Sequence, residues 1–226
     1  MSEPVRICLV GATGLTGWEM IEQAVDRSDV RIIAVARREV RLPPGARMEL
    51  VVAEPSGWAG AIAFARARVM VCALGTTWRK AGKNEAAFRA VDFDLVLACA
   101  RDARAAGIEH MIVVSSVGAE PSGSNRYLKV KGEMEQALGR MGFRRLDILR
   151  PGLLRGPRGE RRLGERLAMA FSPLADLVLH GKYRKFRSIR IALLARSIFA
   201  LAKEKAAGRF VHDHDALLYS LRRRGG

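Results

Sequence analysis

The sequence predicts an α/β fold, a doubly wound parallel sheet with a small C-terminal cap. Three observations carry this. Short β-branched apolar runs alternate with stretches of helical periodicity. Three glycines, Gly11, Gly14 and Gly17, follow the first apolar run and open the first helical stretch. The 226 residues, 49% of them apolar, suit one domain with a substantial core.

The elements follow in order. Val5–Val10 reads as the first strand and residues 14–26 as a helix. Strands are expected at 31–36, at 48–53 after the turn Pro43-Pro44-Gly45, and at 68–74. Residues 84–106 are helical, with Gly107 as the C-terminal stop. A strand at 110–115 leads to a helix at 125–141, ended by Gly142. A sixth strand, 146–150, closes at Pro151-Gly152. Beyond it, helices are expected at 159–171 and 191–205, a short strand at 210–212 and a helical turn or two at 216–221. No repeat, linker or composition shift divides the chain, so 1–226 reads as one domain with 152–226 as a substrate-side cap. In such sheets ligands sit beyond the carboxyl ends of the strands.

The net charge is +16, with 31 arginines to 8 lysines. The arginines are scattered and few aromatics lie among them, which points to phosphate-bearing small ligands rather than nucleic acid. No apolar run reaches the ~18 residues of a membrane span. The N-terminal residues do not resemble a signal peptide. Cys8, Cys72 and Cys99 fall in apolar runs and read as buried thiols, so a reducing, cytoplasmic setting is expected. His110, His180, His212 and His214 lack metal-ligand spacing, so no metal is expected. The expected state is monomer or homodimer, and a protein partner is left open.

The glycine loop carries the first chemistry. A side chain at Gly11 would obstruct the tight turn, and one at Gly14 would hold a pyrophosphate off the backbone. One at Gly17 would hinder packing of helix against sheet. Thr13, Leu15 and Thr16 complete a loop whose helix N-terminus favours anions. Arg37 stands twenty residues beyond Gly17, at the end of the second strand. An acidic residue there would bind the ribose 2′-hydroxyl of NAD, whereas arginine pairs with a 2′-phosphate. With Arg38 beside it, NADP(H) is expected over NAD(H). Leu74, Gly75 and Thr76 follow the fourth strand, where glycine permits close backbone approach to a cofactor.

The second set is Ser115, Tyr127 and Lys131. Tyr127 and Lys131 are four residues apart and share a helix face. An ammonium beside a phenol favours the phenolate, which suits proton transfer near neutral pH. Lys131 is also placed to hold ribose hydroxyls. Ser115, twelve residues before Tyr127, is the expected orienter of a substrate carbonyl, with neighbouring Ser116 as the alternative.

These motifs, with V-D-x-D, V-S-S-V-G-A, Y-L-K-V-K-G-E-M-E and L-R-P-G-L-L-R-G-P-R-G-E-R, recur in a known order. The chain resembles the atypical short-chain dehydrogenase/reductases, most of all the small NAD(P)H-binding oxidoreductases related to the Tat-interacting protein of mammals. The resemblance spans roughly residues 5–215. It implies a Rossmann fold, NADPH on the 11–17 loop, its 2′-phosphate on Arg37, and Ser115, Tyr127 and Lys131 as the active set. It also implies that Pro151, Gly152, Leu153 and Leu154 lie beside the nicotinamide. There are departures. Asp92 stands near the place where relatives often carry a catalytic asparagine. The third strand ends Val52-Ala53-Glu54, without the aspartate that often meets adenine. The arginines of 155–166 read either as recognition of an acidic substrate or as pairing with Glu160 and Glu165. The expected function is hydride transfer between NADP(H) and a small carbonyl or alcohol. The alternative is an NADPH-binding regulatory or scaffold protein with little turnover. A nucleotide-sugar epimerase is a weaker third reading, since the C-terminal region is short for a sugar-nucleotide lobe.

Overall fold

Alternate side chains of the central strands feed opposite faces of one sheet. Along β1 (Val5–Val10), Ile7 and Leu9 pack on one side while Cys8 and Val10 pack on the other. This two-sided burial explains why the strands read as nearly continuous apolar runs. The computed structural model describes residues 3–156 and 179–222. Within them lie β2 (Val30–Ala36), β3 (Glu49–Val52), β4 (Val69–Cys72), β5 (His110–Val114), β6 (Arg145–Leu149) and β9 (Gly208–His212). With β1 they form a seven-stranded sheet in the order β3-β2-β1-β4-β5-β6-β9, with all pairs parallel. The first six follow the doubly wound dinucleotide-binding order, whose switch point lies between β1 and β4. The expected fold class is therefore the one observed.

One face carries α1 (Leu15–Ala24), α6 (Ile191–Leu201) and α7 (His214–Arg222), with Met20, Ile21, Leu194, Ile198, Phe199 and Leu217 in its core. The other carries α2 (Trp58–Phe64), α4 (Val96–Ala105) and α5 (Arg126–Gly139), through Trp58, Ile62, Cys99, Ala100, Met134 and Leu138. A small parallel pair, β7 (Leu154–Arg155) with β8 (Ile189–Arg190), lies outside the main sheet. The C-terminal segment thus adds β9 to the sheet edge, and α6 packs beside α1.

Within the described residues the expected elements recur with shifted ends, and further elements appear that were not expected, among them β7, β8, α2 and a π-helical turn. Helix α2 is short and rich in alanine and glycine, a weak periodic signal, yet Trp58, Ala61 and Ile62 bury one face of it. The helix expected at 84–106 runs through α3 (Glu85–Arg89), a π-helical turn at Ala90–Leu95, and α4. The helix expected at 159–171, and Arg158, Arg161, Arg162, Arg166, Glu160 and Glu165, lie outside the described residues.

All three cysteines are free and buried. Burial pushes the Cys72 thiol up to about 11 and that of Cys8 up to about 12, and raises Cys99 as well. No helix among the described residues is long and apolar enough to cross a membrane.

Candidate active site

The glycine loop is dictated by backbone crowding. Gly11 has φ +93°, and a Cβ there would lie 2.6 Å from the Ala73 carbonyl at the end of β4. A Cβ on Gly17 would lie 2.3 Å from the Gly11 carbonyl oxygen, so α1 can approach the loop only through glycine. Gly14 caps α1, and no acidic side chain occupies the first turn of that helix. Its N-terminus is free to meet an anion.

A cleft opens here, lined by Gly11, Ala12, Thr13, Gly14, Val35, Ala36, Arg37, Trp58, Ala73, Leu74, Gly75, Val91 and Leu95. It joins the carboxyl ends of β1, β2 and β4 at the switch point. Of the expected cofactor residues, Gly11, Thr13, Gly14, Arg37, Leu74 and Gly75 line it. Leu15 and Thr16 form the first turn of α1 instead, with Thr16 buried and Leu15 packed on the core. Arg37 and Arg38 are exposed, and neither makes an ion pair among the described residues. Trp58 was not anticipated as a cleft residue. Its indole N–H donates to the Ala53 carbonyl at 2.8 Å, which takes up the acceptor at the end of the third strand. A tryptophan in a weakly patterned segment was the available signal.

Helix α5 carries the second set. Asn125 caps it by accepting from the Leu128 N–H at 3.1 Å, which fixes where its turns begin. Tyr127 and Lys131 then lie one turn apart. The Tyr127 ring leans on Phe88, with centroids 5.1 Å apart. Lys131 is buried; its Nζ is 2.8 Å from Asp92 Oδ1 and donates to the Val114 carbonyl at 3.4 Å. The Lys131–Asp92 contact is close but off the hydrogen-bonding direction, so Oδ1 has a charge partner without an aligned donor. The Thr76 N–H donates to the other oxygen, Oδ2, at 2.8 Å.

Ser115 and Ser116 have different partners. The Ser115 hydroxyl donates to Glu135 Oε1 at 2.5 Å, and Glu135 in turn accepts from Arg150 Nε and Nη2. Glu135 lies eight residues beyond Tyr127, about 12 Å along the helix. The Ser115 hydroxyl thus faces the Glu135–Arg150 ion pair. Ser116 is the partly exposed serine, with only a 3.5 Å contact to the Val117 carbonyl. Glu135 continues the face of Tyr127 and Lys131 at the same four-residue interval, a spacing readable in the sequence. Pro151 ties the loops after β5 and β6 by accepting from the Val117 N–H at 3.0 Å. Gly152 passes so close to the 181–186 turn that a Cβ would lie 2.4 Å from the Arg187 carbonyl. Leu153 stays exposed and Leu154 enters β7.

A family model described as NAD(P)H-binding matches residues 11–168. The chain belongs to this NAD(P)H-binding family. It is 37% identical over 170 residues to Protein HTATIP2 of Rattus norvegicus, covering 73% of this chain and 69% of the relative. It is 34% identical over 174 residues to "Protein fmp52, mitochondrial" of Emericella nidulans, covering 74% of each. The expected resemblance to relatives of the Tat-interacting protein thus holds. Among solved structures, it is similar to MoeE5 in complex with UDP-glucuronic acid and NAD, with TM-score 0.70, 15% identity and coverage of 91% and 74%. A putative NAD-dependent epimerase/dehydratase from Bacillus halodurans gives TM-score 0.68 at 20% identity, covering 97% and 99%. At such identities the likeness shows the fold. The expected cytoplasmic location is corrected by the mitochondrial designation that the fmp52 relatives carry.

The cleft fits the family's dinucleotide. Glycine backbone, the open end of α1 and a peripheral arginine converge where a pyrophosphate and a ribose would lie.

Proposed function

We propose that this chain is an NADPH-dependent oxidoreductase that moves hydride between NADP(H) and a small carbonyl or alcohol. One observation carries the reading. Gly75 lines the cofactor cleft, and its Cβ position lies only 4.0 Å from Lys131 Nζ. The proton-transfer helix therefore abuts the cleft that would hold the dinucleotide. The preference for the phosphorylated cofactor rests on Arg37, which lines the cleft from the end of β2 where an acidic residue would select NAD.

Bound there, the cofactor would supply or accept the hydride. Tyr127 would exchange a proton with the substrate oxygen, and Lys131 would hold the ribose beside it. Ser116 would orient the carbonyl, the role that the Ser115–Glu135 bond leaves open.

The test is NADPH oxidation across a panel of small carbonyl compounds. Tyr127→Phe should lose about 10²–10⁴-fold in turnover while binding NADPH as before. NADPH binding without turnover on any carbonyl would instead favour the regulatory alternative.

A further inference from the structure

We infer that the purine of the cofactor sits in an apolar slot formed by Trp58, Val91 and Leu95, and that this slot accepts other purines as readily as adenine. The inference rests on the cofactor reading above. It assigns the choice of nucleotide to the 2′-phosphate rather than to the base.

The order of groups along the cleft says where the base would go. The glycine loop after β1 would meet the pyrophosphate, and Arg37 after β2 the 2′-phosphate. Tyr127 and Lys131 stand on α5, which follows β5, so the nicotinamide half is directed to that side. The adenosine half then runs the other way, across β2 toward β3. Trp58 opens α2 there, directly after β3. Leu95 packs against the apolar cluster that contains Trp58. Val91 and Leu95 lie four residues apart on the π-helical turn Ala90–Leu95, and both line the cleft. Val35 and Ala36 at the end of β2 complete an apolar lining.

The second observation concerns hydrogen bonds. Adenine presents a donor at its 6-amino group and an acceptor at N1, so reading it takes a free acceptor beside a free donor. The side chains with polar atoms that line the cleft are Thr13, Arg37 and Trp58. Thr13 belongs to the glycine loop and Arg37 to the phosphate. The Trp58 N–H is taken by the Ala53 carbonyl at 2.8 Å, and the Ala53 N–H by the Ala36 carbonyl at 2.9 Å. Both backbone groups of the residue that ends the third strand are therefore occupied within the protein. Glu54 is exposed and lies outside the cleft lining, and its carbonyl accepts the Gly57 N–H at 2.8 Å. The slot thus offers contact without a reading pair. Such contact is tolerant of base identity, because every purine has the same apolar face.

The experiment compares NADPH with reduced nicotinamide hypoxanthine dinucleotide phosphate on cofactor-stripped protein, by fluorescence of the reduced nicotinamide. In this analogue a carbonyl replaces the 6-amino group and N1 carries a hydrogen, so donor and acceptor exchange places. The two dissociation constants should agree within about threefold, less than a hydrogen bond to a reading group would impose. Val91→Ala and Leu95→Ala should each weaken both ligands by the same factor, about tenfold; either serves if the other fails to fold. A larger loss for the analogue on wild-type protein would overturn the tolerance while leaving the cofactor reading intact. Unchanged affinity in the variants, or a loss for one ligand alone, would overturn the slot. Failure of the wild-type protein to bind either ligand would overturn both readings.

Discussion

Two carboxylates, Asp147 and Asp92, are both fully buried, yet their surroundings differ in kind. Asp147 on β6 takes two hydrogen bonds at each oxygen. His110 Nε2 and Arg145 Nε meet Oδ2 at 2.7 and 2.6 Å, and His212 Nε2 and Arg145 Nη2 meet Oδ1 at 2.7 and 2.8 Å. Burial alone would push its carboxyl up, but these bonds outweigh burial and hold it well below the usual carboxylate range. The cluster bridges β5, β6 and β9, so it pins the last strand to the sheet. Asp92 has one backbone donor and an ammonium set off the hydrogen-bonding direction. A carboxylate satisfied on all sides holds a fold together. Asp92, paired with a single ammonium, stands instead beside the cleft lining.

The contrast can be broken from either side, and the largest effect is expected at the fully satisfied site. Asp147→Ala leaves Arg145 and two imidazoles without their acceptor and should cost about 3–5 kcal/mol of stability, measured by denaturant unfolding. NADPH affinity of the folded fraction should not change. A loss confined to cofactor affinity would reverse the assignment.

On the cofactor side, Arg37→Ala should weaken NADPH by about 1.5–3 kcal/mol in paired titrations and change NADH little. Equal losses for both cofactors would remove the basis for phosphate selectivity. Its melting temperature should match wild type, since Arg37 is exposed.

Ser115→Ala should cost about 1 kcal/mol of stability, because it removes a donor to the Glu135–Arg150 pair. Ser116→Ala should lower turnover and leave unfolding unchanged. If instead Ser115→Ala lowered turnover alone, Ser115 rather than Ser116 would be the active serine.

A further effect is a change with pH. The folded-state value of Asp147 lies below its unfolded value, so its stabilisation is fully present above about pH 4. It should shrink as pH falls further, because the unfolded chain then binds the proton first. The stability gap between wild type and Asp147→Asn should therefore be flat near neutrality and narrow in acid. A gap that widened in acid would contradict the pinned carboxylate.

The contrast also marks what the sequence could reveal. The parallel sheet was legible because both-face burial writes nearly continuous apolar runs such as Val5–Val10 and Val30–Ala36, each interrupted by one arginine. The glycine loop was legible because backbone crowding at Gly11 and Gly17 admits no other residue. Tyr127 and Lys131 were legible through helical spacing. The sequence left Ser115 and Ser116 as alternatives because they differ by one residue, and only three-dimensional placement shows which hydroxyl meets Glu135. The Asp147 cluster was hidden for a similar reason: its histidines stand 37 and 65 residues from it and meet it only through sheet register. The cleft tryptophan escaped notice because α2 is too short and too rich in small residues to announce itself.

Titration of cofactor-stripped protein with NADPH and NADH in parallel tests the central claim most directly. Micromolar NADPH binding with NADH at least about tenfold weaker, a difference of ~1.4 kcal/mol, is the expected result. Equal or tighter binding of NADH would contradict the role given to Arg37, and binding of neither would contradict the cofactor cleft itself.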